Sequence, residues 1–310
     1  MAITAVKVGK IARTALALLM RELVVARTVW TDAVDGADFD GALNDTVTVR
    51  MRGRVAANVR VLRAGTPLSN STIVEFPVAV QLTQDIYQSV PVSDEELELD
   101  ISDFAAQILA PQTEAVAIGI EDEVIDAIQA ATFPGNHQLE FDNVAPARTF
   151  NRARRLLNEA NAPKGNRTAL VGTQIEEALL NDDDFIRADA RGPERANDAF
   201  SDAVIGRTYG FTVVGSNGLD PDEAYCYHKS AFIAATRAPR KPDGATFGQG
   251  VSFQGLAMRW LKDYDYANTT DRSLVNTWLG TAVVTDPDDP ADDESTRSLI
   301  RAVKITDATS

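Results

Sequence analysis

The residue types that most often carry out chemistry in enzymes are scarce in this sequence. It has two histidines, His137 and His228, and one cysteine, Cys226. This set cannot complete a Cys/His zinc site within one chain. No G-x-S-x-G segment presents a nucleophilic serine, and no G-x-x-x-x-G-K-[ST] loop is present to bind phosphate. We therefore expect no catalytic residue, no cofactor and no metal ligand, and we expect Cys226 to be a buried, unreactive thiol.

Two acidic clusters, Asp182–Asp184 and the tract from Asp286 to Glu294, are the remaining candidates for a cation site. Neither has the ligand spacing and the glycine of an EF-hand loop, so solvated acidic loops are the preferred interpretation. The aromatic residues of the C-terminal third resemble a ligand-stacking platform, but their strand-like spacing favours core or inter-subunit packing. These residues are Tyr225, Tyr227, Trp260, Tyr264, Tyr266 and Trp278.

The charge of the chain is large and unevenly distributed. A net charge of −15 over 310 residues argues against a general nucleic-acid binder, which needs a positive surface. Arginines nevertheless cluster in one short stretch that has no acidic residue. They are Arg50, Arg52, Arg54, Arg60 and Arg63. Opposite charges in different segments of identical copies favour contacts between copies. Two unrelated solvated patches are the alternative.

A long β-hairpin is predicted to carry these arginines. Val47, Val49 and Met51 alternate with polar residues from position 46, and a second alternation runs through 74–82 after a turn region. Pro77 falls on the other face of this second strand, which suits an edge strand. A hairpin of this length is only marginally stable by itself, so we expect a neighbouring subunit to support it.

The remaining chain alternates between helical and extended patterns. A helix is predicted over 10–30, and the longest one lies within 102–133, with Pro111 in its first turn. Its buried stripe would be Val116, Ile120, Val124 and Ile128. Further helices are expected from 146 to 160 and from Thr173, where Thr173 and Glu176 form a capping-box pattern. Strands are predicted at 168–172, 211–214, 225–236, 251–260, 274–284 and 299–305, and a polar loop at 181–202.

This order is typical of an α+β protein without regular βαβ units. No apolar stretch is long enough to span a bilayer, so we expect no membrane segment. The N-terminal residues lack a cleavage site after an adequate apolar core, and we interpret them as an arm that stays in the mature protein.

Five stretches, in this order along the chain, carry a family resemblance: ARTALALLMRELVVARTVW, DTVTVRMRGR, DISDFAAQILAPQTEAVA, IGRTYGFTVVGSNGL and HKSAFIAATRAP. They are similar to the major capsid proteins of tailed bacteriophages with the HK97-type fold, in particular the group related to the P22 coat protein. The resemblance covers nearly the whole chain. Each stretch is weakly specific alone, and the specificity comes from the five together.

The resemblance implies an HK97-like capsid fold divided into five parts. These are an N-terminal arm at 1–45, an extended loop at 46–85, a peripheral domain with a spine helix at 86–139, an axial domain at 140–235, and a return to peripheral strands with a C-terminal strand at 236–310. The arginines Arg50, Arg52, Arg54, Arg60 and Arg63 would then lie on the extended loop, which crosses an adjacent subunit in such shells. They are expected to pair with acidic surface on that neighbour, either the spine helix or the tract 286–294.

The implied function is structural. Pentamers and hexamers of the chain would form the icosahedral shell around the double-stranded DNA of a tailed virus, without sequence-specific DNA binding. A separate scaffolding protein and a portal protein are the implied partners, with assembly in the host cytoplasm. An encapsulin-like compartment is the alternative within this fold, and an unrelated acidic soluble enzyme is the alternative outside it.

Two departures from relatives affect this expectation. Some relatives weld their shells through a lysine of the extended loop, but residues 46–85 contain no lysine, which predicts a non-covalent shell. The second departure is the length of the chain, from which we expect neither the inserted domain of the P22 protein nor a long N-terminal scaffolding extension. A further expectation is an inner wall of net negative charge, along which packaged DNA would slide without sticking.

Overall fold

The computed structural model contains two large β-sheets that pack against one long helix. It describes residues 13, 15–17, 19, 23–41, 45–52, 57–63, 67–70, 75–92, 104–181, 206–245, 247–253, 255–265, 270–287 and 296–307. The helices are α1 (Ala110–Gln129), α2 (Pro146–Glu159) and α3 (Thr173–Asn181). A π-helical turn at Ala105–Leu109 leads into α1, and 3-10 turns lie at Gly36–Phe39, Gly135–His137 and Lys229–Ala231. None of the described helices is long and apolar enough to cross a membrane.

Most strands are short, and the two longest, β11 and β12, are neighbours in the first sheet. They are β1 (Thr46–Arg52), β2 (Glu75–Gln81), β3 (Gln84–Val92), β4 (Gln138–Glu140), β5 (Arg167–Val171), β6 (Arg207–Thr208), β7 (Phe211–Gly215), β8 (Glu223–His228), β9 (Phe232–Arg237), β10 (Phe247–Phe253), β11 (Leu256–Asp265), β12 (Thr270–Val283), β13 (Asp286–Pro287), β14 (Arg297–Ser298) and β15 (Ala302–Thr306). Helices and strands together confirm the α+β class.

The first sheet is built around β12, the longest strand. Its order is β10-β11-β12-β3, and β9 pairs with the second half of β12. The sequence predicts one strand over 251–260, but this prediction is wrong because the chain turns back at Gly255 between β10 and β11. Gly255 has φ +77°, and a Cβ there would lie 2.5 Å from the Thr31 carbonyl oxygen. Only glycine fits this turn.

The second sheet has the order β4-β15-β8-β5-β7-β6. The predicted strand 225–236 is divided between the two sheets, because a 3-10 turn at Lys229–Ala231 separates β8 from β9. The C-terminal strand β15 pairs with β4 and β8, so the range 236–310 does not lie in a single sheet. Only a few polar residues, among them Lys229 and Ser230 at the turn, separate the apolar residues of β8 and β9, and they do not show that the two strands belong to different sheets.

The second sheet is covered on both faces. Leu170, Tyr225 and Tyr227 pack in one cluster with the buried stripe of α1. Ala169 and Cys226 point to the other face, where they pack with residues of α2 and α3. Successive residues of a strand face opposite sides, so strands β5 and β8, whose central residues are all buried, must be covered on both faces.

The helix α1 is buried along the predicted stripe. Val116, Ile120, Val124 and Ile128 are all buried, and Pro111 lies in the first turn. The helix lies within the predicted range 102–133, and its regular α-helical part begins at Ala110, after the π-helical turn. Residues 101–103 lie outside the described residues.

The predicted N-terminal helix over 10–30 is correct only in its first part. The described residues among 13–19 are helical, whereas Leu23 to Val29 form turns and Trp30 bridges to Ile233. The backbone N–H groups of Val24 to Ala26 donate to a side chain of α1 rather than to preceding carbonyl groups. This tertiary contact overrides the helical spacing of the apolar residues.

Candidate inter-subunit contact surface

The paired part of the β1–β2 hairpin is held by its own chain. Thr46 to Arg52 pair antiparallel with Gln81 to Glu75, and the register places Val47, Val49 and Met51 opposite Val80, Val78 and Phe76. Phe76, Val78 and Val80 are buried and pack with apolar residues from the rest of the chain. These partners include Val34, Phe39, Ile233, Ala235 and Val284. The expectation that a neighbour must support the whole hairpin is therefore wrong for its base, since burial in cis already stabilises it.

The outer edge of the hairpin base contacts the stem of the acidic tract. The Arg297 guanidinium lies 5.6 Å from the centre of the Phe76 ring, a cation–π distance. Its Nη1 also donates to the Pro77 carbonyl oxygen over 3.3 Å. The stem itself is a short ladder in which Asp286 faces Ser298 and Pro287 faces Arg297. Residues 288–295, most of the predicted acidic tract, lie outside the described residues.

Beyond the paired strands, the described residues 57–63 and 67–70 form an exposed hairpin tip. Val59, Val61, Leu62 and Leu68 are 94%, 77%, 84% and 73% exposed. An internal bond from the Asn58 side chain to the Ser69 carbonyl oxygen, 3.1 Å long, links the two sides of the tip. Contiguous exposed apolar side chains mark an interaction surface in a folded protein.

The predicted arginines are divided between the base and the tip. Arg50 and Arg52 lie on the exposed face of β1, because the apolar residues between them turn inward. Arg60 and Arg63 are exposed in the tip, and Arg54 lies outside the described residues. The hairpin therefore presents positive charge on the face of its base and beside its exposed apolar residues.

The acidic residues of α1 do not all face outward. Glu114, Asp122 and Asp126 are exposed, whereas Glu121 turns toward the N-terminal segment. Its carboxylate oxygens accept the backbone N–H groups of Val24, Val25 and Ala26 over 2.8, 2.7 and 3.0 Å. Burial raises the pKa of Glu121, while the three N–H donors lower it. The sequence did not predict this contact. A glutamate beside the buried stripe of a helix has the same sequence pattern whether it is solvated or partly buried.

A buried polar network fixes the start of α1 on the first sheet. Gln112 donates from Nε2 to the Ser273 carbonyl oxygen over 2.8 Å and to the Gln88 carbonyl oxygen over 3.2 Å. Its Oε1 accepts from the Ser273 hydroxyl over 2.7 Å, and that hydroxyl also accepts from Trp260 Nε1 over 3.1 Å. Every partner in this network is satisfied, so it specifies one register of α1 against β12 and β3.

The two histidines and the cysteine occupy structural positions. His137 Nδ1 lies 2.9 Å from the Ala302 carbonyl oxygen, and Cys226 is buried where desolvation raises the pKa of its thiol. The His228 Nδ1 accepts the Ser230 N–H over 3.2 Å and lies 2.8 Å from its hydroxyl. Burial and the charges of Arg301 and Arg167 lower the pKa of His228.

No metal-ligand cluster exists within the part of the chain that the structure describes. Asp182 to Asp184 fall outside that part. Asp286 forms a bidentate ion pair with Arg301. The Nη1 of Arg301 also donates to the Ser230 hydroxyl over 2.7 Å. This carboxylate thus anchors the stem of the acidic tract.

The aromatic residues fall into two groups. Tyr225, Tyr227 and Trp260 are buried in the core, whereas Tyr264 and Trp278 are each 36% exposed. Tyr266 lies outside the described residues. Ring contacts are made within the core, as between Tyr225 and Phe133 with centroids 5.6 Å apart. Of the described aromatic residues in this set, three therefore pack in the core and two are partly exposed on the surface.

Comparison with known proteins gives both a family and a fold. A family model described as phage capsid protein matches residues 77–291. The structure is similar to a chain of Mycobacterium phage Che8, with a TM-score of 0.59 and 18% identity over 91% of this chain and 90% of that chain. No curated protein matches in sequence.

Two other solved structures are similar over most of their length. The capsid of cyanophage P-SCSP1u has a TM-score of 0.58 and 12% identity over 87% of this chain and 85% of that one. The mature capsid of bacteriophage PhiM1 has a TM-score of 0.56 and 12% identity over 91% and 88%. The chain belongs to the phage capsid protein family and has the HK97-type fold of tailed-phage major capsid proteins.

Proposed function

We propose that this major capsid protein assembles into rings of five and six that close an icosahedral shell around packaged double-stranded DNA. The observation that carries the proposal is the hairpin: its base is fixed in cis, while its tip exposes Val59, Val61 and Leu62 to solvent. A monomer gains nothing from holding such residues away from its core. Repeated across a shell, modest contacts of this kind accumulate into a stable closed assembly.

We propose that the subunit in this shell has the five parts that the family resemblance implies. The arm is 1–45, the extended loop 46–85, the peripheral domain 86–139, the axial domain 140–235, and the returning segment 236–310. The pairing of β1 with β2 and the helix α1 support the second and third parts. The pairing of β15 with β8 supports a returning segment whose last strand joins the same sheet as the axial-domain strands.

The arginines Arg50, Arg52, Arg54, Arg60 and Arg63 are proposed to guide the register of the extended loop on a neighbour. Arg50, Arg52, Arg60 and Arg63 are exposed, which suits contacts that form only on assembly. Exposed ion pairs contribute about 0 to 1 kcal/mol each, so their role is in orientation more than in affinity.

The proposed partners are a separate scaffolding protein, a portal protein and packaged DNA held without sequence-specific contacts, with assembly in the host cytoplasm. The net charge of −15 supports an inner wall that repels DNA. A shell structure in which the inner surface carries net positive charge would contradict that last point.

The shell is proposed to be non-covalent, because residues 46–85 contain no lysine to form an isopeptide bond. Denaturing electrophoresis of purified virions should therefore give one band at the 33.5 kDa of the subunit. A ladder of higher species that resists reducing agent would contradict the proposal.

Negative-stain microscopy with light scattering tests the shell itself. The recombinant chain would be purified alone and after co-expression with a scaffolding protein from the same virus. Hollow closed particles under either condition support the proposal, and only monomers or small oligomers under both would overturn it.

An encapsulin-like compartment is the second candidate, and it shares the fold of the capsid proteins. The virus-like particle from Pyrococcus furiosus is similar with a TM-score of 0.51 and 12% identity over 96% of this chain and 98% of that chain. Nuclease treatment of native particles separates the two functions. A protected viral genome supports the capsid, whereas particles that contain only protein support the compartment.

A further inference from the structure

The two longest helices of the subunit carry opposite charges. α1 contains five acidic residues and no lysine or arginine, whereas α2 contains four arginines and a single glutamate. The exposed acidic residues of α1 form an acidic ridge, which consists of Glu114, Asp122 and Asp126. The exposed arginines along one side of α2 form a basic ridge, which consists of Arg148, Arg152 and Arg155. Neighbouring members of each ridge are three, four or eight positions apart, so each ridge follows one face of its helix.

The subunit does not neutralise these charges by itself. Like charges one turn apart on a helix repel, as in the pairs Asp122–Asp126 and Arg148–Arg152. Arg148 lies 3.9 Å from Asp142 with its side chain 82% exposed, and such an exposed ion pair contributes little. Among the described residues, neither Arg152 nor a carboxylate of the acidic ridge forms an ion pair. Both ridges therefore weaken their own helices and remain accessible to a partner.

The second sheet separates the two ridges. The buried stripe of α1 packs with Leu170, Tyr225 and Tyr227 on one face of this sheet. The helix α2 packs on the opposite face, with Ala169 and Cys226. Each ridge lies on the exposed side of its helix, so the acidic ridge cannot reach the basic ridge of its own chain. A partner for either ridge must come from outside the subunit.

The spacing of the charges suits a second copy of the chain as that partner. Residues four positions apart on an α-helix are about 6 Å apart along its axis. The interval from Asp122 to Asp126 thus equals the interval from Arg148 to Arg152, and two helices side by side can form both ion pairs at once. Each guanidinium has a planar set of donors that matches a carboxylate. The net charge of −15 disfavours other contacts between copies, in which acidic surfaces would meet.

We propose that the acidic ridge of α1 in one copy binds the basic ridge of α2 in a neighbouring copy. The pair Asp122–Asp126 faces the pair Arg148–Arg152. Ile118, which is 54% exposed on the same side of α1, is covered by the approaching helix. The contact joins two different surfaces, so it is head-to-tail and can close a ring when it is repeated. It rests on the proposed shell and is separate from the contacts of the extended loop.

Charge reversal on each ridge tests this contact. One variant carries Arg148→Glu and Arg152→Glu, and the other carries Asp122→Lys and Asp126→Lys. Each change suits its helix, because acidic residues are favourable near a helix N-terminus and basic residues near a C-terminus. Either variant alone should lower the yield of shells, measured by light scattering, by about tenfold or more. The melting temperature of the unassembled subunit should stay unchanged.

Restoring the complementarity should restore assembly. A chain that carries all four substitutions has the signs of the two ridges exchanged, and it should form shells at close to the unmodified yield. An equimolar mixture of the two double variants should also associate, since each copy supplies the sign that the other lacks. If the fourfold variant and the mixture both fail to associate although their subunits melt normally, the inference is overturned.

The matched control is Arg240→Glu with Lys241→Glu, which makes the same change in net charge. Both positions are exposed and lie between β9 and β10, outside the two ridges. This variant should assemble normally. An equal loss of shells in the control would assign the defect to net charge alone and overturn the contact.

The rescue should be specific to α2. Added to Arg52→Glu, Arg54→Glu and Arg60→Glu of the extended loop, the substitutions Asp122→Lys and Asp126→Lys should not restore shells. Restored shells would assign the acidic ridge to the extended loop and overturn the inference. Normal shells from both double variants would overturn the inference and leave the proposed function intact, whereas an unmodified chain that forms no shell would overturn the proposed function as well.

Discussion

At the scale of single residues, Glu121 ties the N-terminal segment to α1. Replacing it with glutamine removes the charge and leaves one acceptor oxygen for three N–H donors. Hydrogen bonds to charged groups contribute about 1.5 to 3 kcal/mol each, offset by the cost of burying the carboxylate. We expect amide hydrogen exchange at Val24, Val25 and Ala26 to accelerate by roughly tenfold to a hundredfold, which corresponds to about 1.4 to 2.8 kcal/mol.

The exposed Glu114 provides the control for this variant. Glu114→Gln should leave the same three amides unchanged. Equal exchange rates in both variants and the unmodified chain would show that the carboxylate does not hold the segment.

His228 makes the fold sensitive to acid. Its Nδ1 must be unprotonated to accept the Ser230 N–H, and its pKa is lowered by burial and by nearby Arg301 and Arg167. A lowered folded-state pKa means that the unfolded chain binds the proton more readily. The contribution of His228 is complete above its unfolded pKa of about 6.5 and is lost as pH falls through the folded-state value.

The melting temperature of unassembled subunits should therefore fall more steeply between pH 7.5 and 5.5 in the unmodified chain than in His228→Asn. Asparagine keeps an oxygen that can accept the Ser230 N–H but does not titrate. Parallel pH profiles for the two proteins would contradict this role.

At the scale of elements, the hairpin base and the hairpin tip have separate tasks. Phe76 is 1% exposed and packs in the cluster that anchors β2. Phe76→Ala should lower the free energy of unfolding of the unassembled subunit by about 3 kcal/mol or more, as large-to-small core substitutions do. Chemical denaturation measures this loss.

Leu62→Ala is the matched variant from the tip. Because Leu62 is 84% exposed in the subunit, its truncation should change the free energy of unfolding by less than about 0.5 kcal/mol while reducing shell yield. A comparable loss of subunit stability in both variants would show that the tip packs on its own chain.

The sequence predicts elements well where one periodicity continues without interruption. The alternation of β1 and β2 and the stripe of α1 are confirmed because each element turns one face toward the core along its length. The predictions over 225–236 and 251–260 are wrong because each stretch is divided by a turn, at Lys229–Ala231 and at Gly255, and a turn of so few residues is easily taken as part of one strand. The strand β3 was not predicted, since it is polar and mostly exposed, and only pairing with β12 defines it.

The contact surface was predictable only in part for the same reason. Exposed arginines on a hairpin follow from composition and alternation. The contact of Arg297 with the Phe76 ring does not, because only the folded chain brings the stem of the acidic tract to the hairpin base. Contacts of such separation leave no periodic signal in a single sequence.

At the scale of the whole molecule, the balance between acidic and basic surfaces decides how copies meet. The chain has a net charge of −15, so two copies repel unless positive segments meet acidic ones. The exposed arginines of the hairpin supply such a segment. Assembly should depend on their charge, while folding of the subunit should not.

The triple substitution Arg52→Glu, Arg54→Glu and Arg60→Glu tests this dependence. At up to about 1 kcal/mol for each lost contact, with repulsion added, association between copies should weaken by a hundredfold or more. Light scattering should then show no shells, while circular dichroism and melting temperature of the subunit stay unchanged. Replacing the same arginines with lysine keeps the charge and should preserve assembly. Normal shells from the glutamate variant would show that register is set by the apolar tip alone.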